Sequence, residues 1–207
     1  MIIVGAGGLG RDTEEFARVD SAYGKYWTIG GFLDTRPNVL DAYGMSSRLL
    51  GDPRTYQPLP GDEFLVAVGD TKLRAELVAP LLAKGARFVS LRTNVRFGDR
   101  CTYGASVFCD HVVLAADVTV GDYCYISADA LIGHDVQIGD YAHIGPRCFI
   151  GGRAKIGAFA TIHPMATIAM DAVIGEGAVV AAGAVVFGKV APNTTVLGNP
   201  AKRFEFK

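Results

Sequence analysis

The chain has 207 residues, half of them hydrophobic and a fifth charged, the composition of a soluble globular protein and not of a disordered, collagenous or coiled-coil one. Twenty Lys and Arg against 21 Asp and Glu leave a formal net charge of −1, so neither a nucleic-acid backbone nor an anionic membrane finds a basic footprint. Four cysteines, Cys101, Cys109, Cys124 and Cys148, form no C-x-x-C pair, and the N-terminus MIIVGAGG lacks a basic n-region, which fits a reduced, cytoplasmic protein. The apolar stretch 177–188 is too short, and too broken by glycine, to span a bilayer. The outlier is glycine, at 26 residues, roughly 13% against an average of about 7% and without a G-X-Y period.

Residues 1–91 read as alternating strands and helices. Met1–Val4 is a short apolar strand that runs into Gly5-Ala6-Gly7-Gly8-Leu9-Gly10, and a helix follows over Arg11–Arg18. A glycine-rich turn between a strand and a helix suits an anion, because the backbone approaches closely and the helix N-terminus favours negative charge. Trp27–Leu33 is a second strand ending at Asp34, which is placed to bind a ribose or base. Phe64–Val68 is a third, ending at Gly69-Asp70. A helix over Lys72–Lys84 puts Leu73, Leu77, Val78, Leu81 and Leu82 on one side, with Pro80 expected to kink or end it. This grammar predicts a small parallel sheet of βαβ type.

From residue 92 to residue 207 the period changes. Stepping by six from Val120 meets Ile126, Ile132, Ile138, Ile144, Ile150, Ile156, Ile162, Ile168, Ile174, Val180 and Val186, twelve β-branched aliphatics without a miss. Two residues before each stands nothing larger than valine, and Leu114 and Phe108 continue the large series upstream. Such a repeat predicts a hexapeptide β-helix: three short strands per coil, about 18 residues per turn, stacked at the inter-strand spacing of about 4.8 Å. The aliphatic points to the axis and the small residue fits the corner. In seven of the twelve repeats glycine follows the aliphatic, where the backbone is expected to bend.

These features carry a resemblance. Residues 92–207 resemble the left-handed β-helix hexapeptide acyltransferases. The whole chain, with a Rossmann-like nucleotide-sugar-binding domain at 1–91, looks like the bacterial nucleotide-amino-sugar N-acetyltransferases of the sialic-acid and bacillosamine pathways. The match lies in Gly5–Gly10, Gly31–Asp34, Ala67–Asp70, the run Gly133-His134-Asp135-x-x-Ile138-Gly139-Asp140-x-x-His143-Ile144, and the tail Val196–Lys202. The hand of the coil comes from the family, since periodicity does not fix it.

Positions 18 apart share one edge of such a coil, and positions nine apart lie on opposite sides. Gly152 is His134 plus 18 and His143 is His134 plus nine. The Gly152 N–H therefore falls about one strand spacing from a base, His134, while His134 and His143 face away from each other. A site that uses both lies between subunits. Asp135 has two possible partners, His134 beside it and Arg153 one turn up. His111, Asp129 and Arg147 form a structural charge ladder, and Cys124 and Cys148 fill corners.

The resemblance implies homotrimers with acetyl-CoA as co-substrate in the groove between adjacent coils, and no metal. It assigns His134 as general base for the sugar amine, Asp135 as the acid that raises its basicity, and Gly152 as donor to the tetrahedral intermediate. His143, Gly152, Pro164 and Ala182 would contact the coenzyme, and Lys202 and Arg203 would meet its phosphates. In front it implies a nucleotide-linked amino sugar of the 4-amino-dideoxy type, with Gly7, Gly8 and Leu9 near the phosphates, Asp34 and Thr35 near the base, and Val68 and Gly69 on the neighbouring loop. The chain departs from the family at Leu9, where histidine is usual, at Thr35, often a second acid, and at Asp70 and Ser127, often asparagine. Other readings are a sugar O-acetyltransferase with the same base, a non-catalytic nucleotide-sugar-binding protein, and a zinc hydratase of the carbonic-anhydrase type. The last normally brings a His-x4-His pair, and His111, His134, His143 and His163 form none.

Overall fold

The computed structural model describes residues 1–45 and 48–204. Five short parallel strands, β1 (Ile2–Val4), β2 (Gly31–Leu33), β3 (Leu49–Gly51), β4 (Glu63–Val66) and β5 (Arg87–Phe88), lie in the order β3-β2-β1-β4-β5. Alternation along the strands divides their side chains between two cores. Ile3, Phe32 and Leu65 pack with Ala17 of helix α1 (Gly8–Arg18), whereas Ile2, Val4, Leu33, Phe64 and Val66 pack with Leu77, Val78 and Leu81 of helix α2 (Thr71–Leu82).

Several expected boundaries shift. The second strand is only Gly31–Leu33 and not Trp27–Leu33, because its partner β1 begins at Ile2, opposite Gly31. Helix α1 starts at Gly8, three residues before Arg11, with extended Gly7 as its N-cap. Helix α2 runs through Pro80 and stops two residues later, where the bond that proline removes is one of few remaining. On α2, Leu73 and Leu82 are exposed, and the buried stripe is Arg74, Leu77, Val78 and Leu81. The short strands β3 and β5 carry no pattern that announces them.

From Leu91 to Leu197 the chain is a parallel β-helix with three faces. The first face carries the strands Leu91–Arg92, Val107–Phe108, Tyr125–Ile126, His143–Ile144, Thr161–Ile162, Val179–Val180 and Thr195–Leu197. The second includes Leu131–Ile132 and Phe149–Ile150, and the third includes Gln137–Ile138 and Lys155–Ile156. Through the middle of the coil each strand pairs with the one 18 residues on, as in Tyr125 opposite His143 and Ile126 opposite Ile144. All twelve ladder aliphatics and the small residues before them are buried in one continuous cluster. Lys202–Arg203 folds back antiparallel on Val196–Leu197 at the far end.

The glycines after the aliphatics do not bend the backbone, contrary to expectation. None of these seven has positive φ; the left-handed residues come two positions later, as at Asp135 (φ 58°) and Arg153 (φ 59°). Glycine is needed because the next turn passes too close: a Cβ on Gly133 would lie 2.6 Å from the Gly152 nitrogen, and one on Gly151 would lie 2.5 Å from the Met170 nitrogen.

The front sheet docks on the first face of the coil. Leu91, Val107, Cys109 and Tyr125 belong to the same core as Ile3 and Phe32. The Tyr125 hydroxyl lies 3.1 Å from Thr13 Oγ1, and Thr71 Oγ1 donates to the Phe159 carbonyl at 3.1 Å. No helix among the described residues is long and apolar enough to cross a membrane.

Candidate active site

At the carboxyl ends of β1, β2 and β4 a cavity of about 440 Å³ opens, lined by Gly5, Gly7, Gly8, Leu9, Asp34, Thr35, Arg36, Ala67, Val68, Gly69, Asp70, Leu73 and Leu77. All seven residues expected to hold the nucleotide sugar face it. The position is the one open α/β sheets use for ligands, where strand order reverses beside β1. The glycines of the turn differ in purpose. A Cβ on Gly10 would sit 1.9 Å from the Gly5 carbonyl oxygen, so Gly10 serves helix packing. A Cβ on Gly8 would meet nothing within 4 Å, and one on Gly7 only the Arg36 guanidinium at 3.5 Å. Those two are bare toward the cavity, and the N-terminus of α1 has no side-chain cap and no acid in its first turn. An anion there would meet free N–H groups and the positive end of the helix dipole.

Asp34 is in the cavity, but its carboxylate is occupied. It accepts from the Ala6 backbone N–H at 2.9 Å and the Arg36 N–H at 3.0 Å, and the Arg36 guanidinium grips it at 2.9 Å through both Nε and Nη2. Burial alone would raise this carboxyl; the hydrogen bonds from Arg36 and Ala6 outweigh it and hold the group below its ordinary range. Asp34 thus aims Arg36, an exposed guanidinium that no motif in the sequence marks. Asp70, also on the cavity wall, caps α2 by accepting from Lys72 and Leu73 at 2.9 Å each.

On the coil, His134 stands on the turn between the second and third faces, with Nδ1 2.6 Å from Asp135 Oδ2. Arg153, the alternative partner of Asp135, instead pairs with Asp171 through two bonds of 2.8 and 2.9 Å. Gly152 lies one turn up against the other ring nitrogen: a Cβ on it would stand 2.7 Å from His134 Nε2. The Gly152 N–H has no hydrogen-bond partner among the described residues. A base with its second nitrogen anchored by a carboxylate, beside a bare backbone donor, is an arrangement suited to proton transfer at an acyl carbon.

His143 lies on the first face, away from His134, as the nine-residue separation predicts. Its ring stacks on Tyr125 at 5.6 Å and 5°, and its Nδ1 meets Arg74 Nη2 at 3.2 Å. Burial, then Arg74, then His163 lower its pKa to about 3. Pro164 and Ala182 are exposed, one turn apart, on the turn between the first and second faces, where the Gly183 N–H donates to the Pro164 carbonyl. Arg74 was missed. The signal was there: with Leu77, Val78 and Leu81 it completes an i, i+3, i+4, i+7 stripe, and a charged residue in such a stripe must be buried or solvated by special means.

The charge ladder and the corner cysteines lie where the 18-residue spacing puts them. His111 lies 3.7 Å from Asp129, which Arg147 meets at 3.4 Å. Cys124 and Cys148 donate to the Gly139 and His163 carbonyls at 3.2 Å, and burial pushes their thiols up to about 12 and about 11. Among the described residues no group of three or more His, Cys, Asp or Glu could hold a metal ion.

Residues 117–152 match the model of the bacterial transferase hexapeptide, six repeats. None of the curated proteins matches the chain in sequence. Among solved structures, PerB from Caulobacter crescentus in complex with CoA and GDP-perosamine is 26% identical with a TM-score of 0.86, covering 99% of this chain and 96% of that one. The acetyltransferase domain of PglB from Neisseria gonorrhoeae is 27% identical with a TM-score of 0.87, covering 98% of each chain. WeeI from Acinetobacter baumannii shares the fold, at 23% identity and a TM-score of 0.73 over 98% of each chain. The chain thus carries the hexapeptide repeat of bacterial transferases over residues 117–152 and resembles, over nearly its whole length, PerB and the acetyltransferase domain of PglB.

Proposed function

We propose that the protein transfers the acetyl group of acetyl-CoA to the amine of a nucleotide-linked 4-amino-dideoxy sugar, a step in surface glycan synthesis. The observation that carries the reading is the His134–Asp135 pair with Gly152 bare beside Nε2. Asp135 accepts the Nδ1 proton, which leaves Nε2 as the base. The sugar ammonium loses one proton to reach the neutral amine. As the amine nitrogen attacks the thioester carbon, His134 takes its second proton, the Gly152 N–H receives the oxyanion, and the sulfur leaves and is protonated by the imidazolium. No covalent enzyme intermediate is needed.

Residues 1–91 act in this reading as a Rossmann-like half that holds the nucleotide, diphosphate at Gly7–Leu9 and base near Asp34 and Thr35. Residues 92–207 form the left-handed coil that performs the transfer. Because the cavity adjoins the first face and His134 stands on the opposite turn, a sugar held by one subunit reaches His134 of its neighbour in a homotrimer. The second face supports such contact: its outward residues include Leu131 and Phe149, 44% and 43% exposed. Acetyl-CoA then lies between coils, against His143, Pro164 and Ala182. That PerB was crystallised with CoA and GDP-perosamine supports the choice of ligands for this chain.

The test incubates the protein with acetyl-CoA and a panel of uridine, guanosine and thymidine diphosphate amino sugars and follows free thiol. Turnover with at least one amine is expected, and its absence with every amine, or turnover only with the hydroxyl analogues, overturns the proposal.

A further inference from the structure

Arg74 is fully buried and, among the described residues, has no carboxylate partner. Its Nε donates to the Val68 carbonyl at 2.7 Å, and its Nη1 to the carbonyls of Tyr123, Tyr141 and Ala142 at 2.8, 3.2 and 3.1 Å. Its Nη2 points at His143 Nδ1, 3.2 Å away. A guanidinium has only donors, so the ring nitrogen it meets must be the acceptor, and the proton of a neutral imidazole then resides on Nε2. Among the described residues the sole buried side-chain nitrogen or oxygen without a partner is Asp110 Oδ1. His143 Nε2, which has no hydrogen bond among the described residues, is therefore not sealed in.

We propose that Arg74 is a positioning residue that locks His143 in its Nε2–H tautomer, so that His143 offers a ligand oxygen a hydrogen-bond donor and never a base, and ties this donor to the nucleotide loop through the Val68 carbonyl. The tautomer stands on this chain's geometry alone; the ligand, an acyl or amide oxygen of the coenzyme, rests on the proposed function. The groups that face the ring are Arg74 from α2, Tyr125 from the preceding turn of the coil and His163 from the following one. None is an acid that would favour the imidazolium, and burial together with the Arg74 charge opposes it. The two histidines of the reaction are thus divided: His134, held by a carboxylate, moves protons, and His143, held by a guanidinium, does not.

The test is nitrogen-detected NMR of the full chain labelled in histidine, with the His143 signal assigned by loss in His143→Gln. His143 is expected as the Nε2–H tautomer, without titration between about pH 5 and 8. An Nδ1–H tautomer, or protonation within that window, overturns the proposal without requiring any variant at the buried arginine. In Arg74→Met the tautomers should mix, and Arg74→Lys, which can still donate to Nδ1, should restore the parent signal. In the acetyl-transfer assay His143→Gln, whose amide reaches the Nε2 position, should retain about tenfold more activity than His143→Asn, whose amide reaches only Nδ1; equal activities overturn the donor role. A locked tautomer in a protein that acetylates no sugar would leave the positioning intact and remove the proposed function.

Discussion

In the proposed function the front sheet and the coil solve the same problem, presenting polar groups at a ligand, by opposite means. In front, loops at the ends of three strands converge, and each group is fixed by its own hydrogen bonds: Ala6 and Arg36 on Asp34, Lys72 and Leu73 on Asp70. On the coil, strand pairing at an 18-residue interval stacks Gly152 beside His134 with no further device. A loop site depends on local bonds that a single substitution can cut. A coil site depends on phase, which a single substitution hardly touches.

The largest break in the comparison is expected at His134. His134→Asn should lower kcat by about 10³-fold with an unchanged circular dichroism spectrum, since the side chain is half exposed and contributes no core. Next come two adjacent glycines with different duties. Gly152→Ala places a methyl 2.7 Å from His134 Nε2 and should lower kcat by about 10²-fold with little change in thermal midpoint. Gly151→Ala drives its methyl to 2.5 Å from the Met170 backbone nitrogen and should mainly lower the midpoint. Paired kinetics and thermal melts separate the two.

A smaller effect is expected in front. Asp34→Asn releases Arg36 and weakens the bond from Ala6, and should raise KM for the nucleotide sugar about tenfold while KM for acetyl-CoA holds; equal effects on both would contradict the division of labour. A separate effect is expected in the dependence of stability on pH. The folded pKa of His143, about 3, lies below its ordinary value of 6.5, so the unfolded chain binds the extra proton between these values. The His143 contribution is fully present above about pH 6.5 and is lost as pH falls toward 3. Relative to His143→Gln, the parent should therefore lose stability on acidification through that window, as read by urea midpoints.

Most of the coil is legible in the sequence, because its fold is a periodicity and periodicity is visible in a single chain. The same arithmetic put His134, Gly152 and His143 on their correct edges. The front site was legible at its backbone: Gly7, Gly8, Asp34 and Gly69 do line one cavity. Side-chain choices were not. Whether Asp135 turned to His134 or to Arg153 depended on Asp171, which offers Arg153 a better-shaped partner one turn further on. That Asp34 is spent on Arg36 depends on a two-residue turn that no pattern encodes. Arg74 escaped because its partners are backbone carbonyls, which every residue has and no residue type reveals. The reason for the coil glycines was misjudged, since a close approach between turns and a bend within one turn both call for glycine.

The stacking of Gly152 on His134 makes the coil a counter of two things: the remainder after division by 18, which fixes the face, and the number of whole turns, which fixes the height. Six extra residues inserted between Asp135 and His143 would turn everything beyond them by one face, carrying His143 off the surface where the front sheet docks. Eighteen extra residues there would restore the faces but set a whole empty rung between His134 and Gly152. Beyond Gly152 rungs can be added with both relations intact. The length of this protein is therefore pinned at one end and free at the other, and natural or engineered variation in coil length belongs next to the C-terminal fold-back.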